Sequence, residues 1–272
     1  MGFPSFVPYT PEYAVLILVQ AAAVVLPRPV ATISTLRRHT LLGLLPLAAI
    51  GGLVVAMASY GPLVGRLVDL AAIGTPFAML LGVVAYRGSW VWLAPVAVPA
   101  YWIAWKHPGG TWADLSIDVL ILGGGATLGW LTSAVAPRVA LAAGIVLATI
   151  VDVYQVLVSK QVQVVSDALE AAAPPNGLPH LQEAQLHGST LGWGDVYLAA
   201  LLGTLVAHSR RTRLLAAAAL CLAGLVEGFA FDYTDTLPAT VAVAVALLAA
   251  CLADRVTLEG DTRDEKDPHR WQ

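Results

Sequence analysis

Runs of about twenty apolar residues, broken by short joins rich in proline, glycine or charge, recur along all but the tail of this chain, and that recurrence limits what it can fold into. The runs fall at 11–26, 40–60, 67–85, 90–105, 115–136, 139–158, 190–207, 214–231 and 236–253. A water-soluble globule of 272 residues needs more polar side chains to cover it than 12% charged, 58% hydrophobic and a mean hydropathy of +0.73 supply. The expectation is an all-α polytopic membrane protein of about nine transmembrane helices, multi-pass in the cell membrane. Its net charge of −3 is spread over joins and tail, so no basic patch for nucleic acid is expected.

The first run lacks the basic start of a secretory signal, its first positive charge being Arg28, and reads as an uncleaved span. Pro27-Arg28-Pro29, Gly61-Pro62 and Pro108-Gly109-Gly110 mark joins. The longest internal connection, 159–189, holds Pro174-Pro175-Asn176-Gly177 and leaves room for a surface-lying helix at 162–173. Residues 1–254 are expected to form one membrane domain, with scaffold helices in 1–136 and catalytic helices in 137–254, followed by a disordered polar tail at 255–272. Of the 15 lysines and arginines, only Arg66, Lys106 and Lys160 fall on one side of a nine-span chain. The rest fall on the other, which puts the N-terminus outside and the C-terminus in the cytoplasm.

Two acids sit deep in apolar runs: Asp152 in Ile150-Val151-Asp152-Val153-Tyr154, and Asp195 in Leu191-Gly192-Trp193-Gly194-Asp195. An ionised carboxylate at the centre of a bilayer costs a few kcal/mol on insertion scales, so such a residue is a functional candidate by default. Gly192 and Gly194 frame the second acid and make room beside it. With 1.5 Å of rise per residue, Asp152 lies about 12 Å below the outer end of the sixth run and Asp195 about 9 Å below that of the seventh. Leu237-Pro238-Ala239-Thr240 opens the ninth run at nearly the same level. Three features on three helices point to one layer.

Two carboxyls at close range do not both ionise, so one keeps a proton while the other is free to act as a base. That division suits amide hydrolysis. The ionised aspartate takes a proton from water as the water attacks the carbonyl, and the protonated one polarises the carbonyl oxygen and assists the leaving nitrogen. The two titrate as a unit, which leaves their roles unassigned. A peptide in a membrane is helical and must unwind locally before it is cut. Proline at the start of the ninth run, lacking a donor and restricting its neighbour, suits the positioning of an extended substrate.

These residues resemble the intramembrane aspartyl proteases that comprise presenilins and signal peptide peptidases, the GxGD type, here in a short prokaryotic-type form. That family has nine spans, Tyr-Asp in the sixth, Gly-x-Gly-Asp in the seventh and Pro-Ala-Leu in the ninth. Asp152 corresponds to the first acid, Gly192, Gly194 and Asp195 to the second motif, and Pro238 and Ala239 to two thirds of the last, with Val156, Leu157 and Lys160 at familiar offsets. The resemblance covers 139–253 and is only topological before that. Val151 replaces the tyrosine, with Tyr154 a nearby source of a hydroxyl, and Thr240 replaces the leucine. The resemblance implies Asp152 and Asp195 as catalytic residues, and Gly192, Trp193, Gly194, Leu237, Pro238, Ala239 and Tyr154 as substrate-positioning ones. It implies no cofactor and no metal. The inferred orientation is that of signal peptide peptidases, implying single-span membrane proteins with a cytoplasmic N-terminus, or remnant signal peptides, as substrates within the lipid bilayer.

Each of these residues also has a plainer reading. Asp195 alone would serve as a structural acid bonded to a neighbouring helix, and Asp152 as an ion or proton site. Tyr154 and Lys160 suit interfacial anchors. Asp114 and Asp118 suit the dipole at the start of the fifth run, and Glu227, Asp232 and Asp235 read as solvated acids at the outer join of the last two spans. Gly123-Gly124-Gly125 reads as a close-packing point, since no lysine follows it. Two further functions stay open: a prepilin-peptidase-type GxGD protease, against which the absence of a lysine just after Asp195 speaks, and a proton- or cation-coupled transporter.

Overall fold

The computed structural model describes residues 11–27, 61–85, 93–159, 177–187, 189–229 and 238–254. The expected span at 40–60, the surface helix at 162–173, the tail at 255–272, Lys160, Asp232, Asp235 and Leu237 lie outside them. Within the described residues the chain is predominantly helical: α1 (Pro11–Val25), α2 (Gly61–Ala85), α3 (Leu93–Lys106), α4 (Thr111–Val135), α5 (Arg138–Val153), α6 (Trp193–Leu205), α7 (Arg210–Gly228) and α8 (Thr240–Asp254). A π-helical turn, Tyr154–Ser159, continues α5. Among the described residues, three helical stretches are long and apolar enough to cross a membrane, Gly65–Gly82, Thr111–Val135 and Arg138–Ser159.

Local chemistry sets the breaks. Pro137 holds Ala136 extended, at φ −102° and ψ 143°, which ends α4 and starts α5 at once. Gly109 supplies the positive φ of 81° that turns α3 into α4. Ser209 caps α7 by accepting the Thr212 N–H at 3.3 Å, and Arg213 Nη1 donates to Pro27 O at 2.9 Å, tying the exit of α1 to the entry of α7.

The core is built on α6, which packs against α1, α4, α5 and α8 and is buried from Val196 to Leu205. Close approach rests on absent side chains. A Cβ at Gly129 would come within 3.0 Å of Leu201 N, and one at Gly124 within 3.0 Å of Thr75 O, so α4 lies tight between α6 and α2. The outward surface is apolar, with Leu70, Ile73, Phe77, Val98, Ile150, Leu222, Val226 and Leu248 exposed. Such a face matches lipid better than water. At the end of α3, Lys106 lies 3.9 Å from the Trp105 ring centroid and 5.3 Å from that of Trp102, an aromatic and cationic cluster of the kind found where a bilayer meets water.

One element departs from the all-helical expectation. β1 (Glu183–Leu186) and β2 (Ser189–Gly192) form an antiparallel hairpin, with Glu183 opposite Gly192 and Leu186 opposite Ser189. The two-residue connection places His187 at φ 46°, the left-handed conformation that such a tight turn demands. The apolar run expected to start a helix at residue 190 therefore starts as a strand, and the helix begins at Trp193.

Candidate functional site

The hairpin delivers Asp195. β2 ends at Gly192 and α6 begins at Trp193, so Gly192-Trp193-Gly194-Asp195 forms a strand-to-helix corner with the acid in the first helical turn. Trp193 N–H donates to Gln182 O at 3.0 Å, which pins the corner across the hairpin. The Gly192 N–H donates to the Asp195 carboxylate, and a Cβ at Gly192 would stand only 2.9 Å from Asp195 Oδ2. A side chain there would displace the carboxylate. A Cβ at Gly194 would meet nothing within 4 Å, so open space lies beside the acid. Trp193 stacks on Tyr197 at 5.7 Å between ring centroids, and Tyr197 Oη lies 3.0 Å from Thr132 Oγ1, which fixes the corner against α4.

Asp152 arrives from the other side. It lies in the last turn of α5, immediately before the π-helical turn, a local irregularity often found at functional sites. Thr240 Oγ1 donates to Asp152 Oδ2 at 2.6 Å, and the Thr240 N–H also donates to this carboxylate. Thr149 Oγ1 donates to Thr240 O at 3.2 Å, so one residue of α8 is held at three points by α5. The turn before it is fastened as well: Pro238 O accepts the Val241 N–H at 2.9 Å, and Gln20 Nε2 of α1 donates to Ala239 O at 3.4 Å.

The two aspartates come within electrostatic reach of one another, Asp152 being the foremost charge acting on Asp195. Glu227, in the last turn of α7, is the third member of the group. It acts on Asp195, feels Asp152, and accepts the N–H of Ala242 in the first turn of α8. Its Oε1 is buried without a hydrogen-bond partner. Asp152, Asp195 and Glu227 thus lie within electrostatic reach of one another near the start of α8. Among the described residues, no group of three His, Cys, Asp or Glu side chains is arranged to hold a metal ion.

Asp152, Asp195, Gly192, Trp193, Gly194, Pro238 and Ala239 all fall at or beside this meeting point. Tyr154 does not: its side chain is 58% exposed, on the first residue of the π-helical turn, and the hydroxyl expected from it is supplied to Asp152 by Thr240 instead. Glu227, expected to be solvated, is half-buried with its Oε1 enclosed. Its place four residues before the end of the expected run at 214–231 is the signal that could have found it. Asp114 and Asp118 do more than face a helix dipole; both carboxylates accept amides of the hairpin.

No protein-family model matches this chain, and no curated protein or solved structure matches it.

Proposed function

We propose that this chain is an intramembrane aspartyl protease of the presenilin and signal peptide peptidase kind, hydrolysing peptide bonds with Asp152, Asp195 and a water nucleophile. The observation that carries the reading is the approach of two aspartates from separate helices in apolar surroundings, with open space at Gly194 beside one of them. Asp152 accepts two hydrogen bonds from Thr240, and Asp195 accepts one from Gly192. Donors of that kind hold a carboxylate in a fixed orientation, which general acid–base work requires.

The reading includes nine spans in the cell membrane, with the N-terminus outside. Substrates are single-span membrane proteins or remnant signal peptides, unwound near the acids. An unwound segment must find partners for its amides. The edge of β2 away from β1 has no strand beside it among the described residues and leads directly to Asp195, so a substrate strand laid along it would meet the outward amide and carbonyl of Thr190.

A proton- or cation-coupled transporter is the second reading, and the third carboxyl, Glu227, is the observation in its favour. An aspartyl-protease transition-state analogue separates the two. At 100 times its Kd it should stabilise the purified parent by about 2.7 kcal/mol, read as a rise in melting temperature, and leave Asp152→Asn and Asp195→Asn unmoved. An analogue that shifts none of the three proteins, beside a coupling ion that protects the parent, would favour the transporter.

A further inference from the structure

The hairpin that carries Asp195 has two edges, and they are treated differently. The bond from Trp193 N–H to Gln182 O makes residues 182 and 193 a hydrogen-bonded pair, so by alternation the amides of Gln185 and His187 point away from β2. A helix waits for them. Asp118 Oδ1 accepts the Gln185 N–H at 3.0 Å, and Asp114 Oδ2 accepts the His187 N–H at 3.4 Å. Four residues of helix advance about 6 Å, and two residues of antiparallel strand about 6.8 Å, so carboxylates one turn apart on α4 match the Gln185 amide in β1 and the His187 amide in the turn just beyond it. They stand where the carbonyls of a third strand would.

Both acids are buried, Asp118 at 3% exposure and Asp114 at 8%, and Asp118 Oδ2 has no hydrogen-bond partner. A buried carboxylate with an idle oxygen is a costly way merely to stabilise a four-residue strand. The turn is tied to the same end of the molecule, with Thr111 Oγ1 at 2.9 Å from His187 Nε2 and Glu12 Oε1 at 3.8 Å from His187 Nδ1. The hairpin is gripped along its outer side by α4 and at its tip by α1 and α4.

We propose that Asp114 and Asp118 are positioning residues that act as a surrogate third strand. They fix the register of the hairpin and hence the place of Gly192 against Asp195, and they occupy the outer edge of β1, so that among the described residues only the edge of β2 is left for another strand. The second half of this inference rests on the protease reading; the first does not.

The test compares detergent-purified full-length parent with Asp118→Ala and Asp118→Asn by amide hydrogen exchange over 183–192, together with KM and kcat on a labelled single-span peptide. Asp118→Ala should speed exchange of the hairpin amides about 10-fold and raise KM more than it lowers kcat. Asp118→Asn, which keeps an oxygen for Gln185, should restore most of both. Unchanged exchange in Asp118→Ala overturns the clamp. Faster exchange with KM unchanged overturns the positioning role and leaves the clamp structural. If Asp118→Ala proves too unstable to purify, the double variant Asp114→Asn, Asp118→Asn must keep parental exchange, and a loosened hairpin there overturns the clamp. Should the parent cleave no peptide, the protease reading has failed, and the exchange comparison still decides the clamp.

Discussion

Thr240 is the residue on which the chemistry of Asp152 turns. Its hydroxyl lies 2.6 Å from Asp152 Oδ2, and a hydrogen bond to a charged group contributes about 1.5–3 kcal/mol. Replacing Thr240 by Val keeps the shape and removes the donor, so kcat should fall about 10-fold or more, whereas Thr240→Ser should stay near the parent. Equal kcat values for Val and Ser would show that the hydroxyl does not orient the acid. Gly194 poses the opposite case. Since a Cβ there meets nothing within 4 Å, Gly194→Ala should leave the melting temperature within a few degrees while lowering cleavage, because under the proposed function the methyl takes space beside Asp195 that substrate would use. Parental cleavage by Gly194→Ala would mean that substrate takes another path. At this scale the sequence was informative where a polar residue broke an apolar run, as at Asp152 and Asp195. It was silent on the bond from Thr240 to Asp152, because the partner of a hydroxyl is set by which helices meet and not by neighbours along the chain.

Helices were the most legible elements, since a long apolar run with proline or glycine at its ends has few other folds available. The hairpin was the least. Glu183-Ala184-Gln185-Leu186 does alternate, with Ala184 and Leu186 buried, but Ser189–Gly192 merged into the apolar run of α6 and hid the second strand. Its register depends on carboxylates about 70 residues away along the chain, which no local pattern reveals. Packing between elements gives a sharper test. Gly129 lets α4 approach α6, and a Cβ there would lie 3.0 Å from Leu201 N and 3.1 Å from the Ala200 carbonyl carbon, both backbone atoms that cannot swing aside. Gly129→Ala should destabilise the purified protein by about 1–3 kcal/mol, measured by thermal or denaturant unfolding. A neutral result would contradict the tight packing of α4 on α6 at this glycine. The junction of α7 and α8 gives a second test: Glu227→Ala frees the Ala242 N–H and should cost about 1 kcal/mol, as loss of a helix cap does, while Glu227→Gln retains an acceptor and most of the stability. Equal losses for both would point to the charge of Glu227 rather than its hydrogen bond.

Across the whole molecule, apolar side chains face outward, and Asp195 is carried at the end of the hairpin within electrostatic reach of Asp152. The proposed orientation follows from the sorting of lysine and arginine and has its own check. In a background with Cys221 and Cys251 replaced by Ala, a cysteine at Gly109 should react with a membrane-impermeant thiol reagent on intact cells, and one at Ser209 only after permeabilisation. The reverse pattern would invert the molecule and with it the substrate class. Asp152 and Asp195 are proposed to act as one hydrolytic pair. The most direct measurement of that pairing is the cleavage of a labelled single-span peptide by the detergent-purified parent, Asp152→Asn and Asp195→Asn. Cleavage by the parent and a fall of about 100- to 10,000-fold in either variant, with folding preserved, are expected. Cleavage by either variant at the parental rate would contradict the pairing.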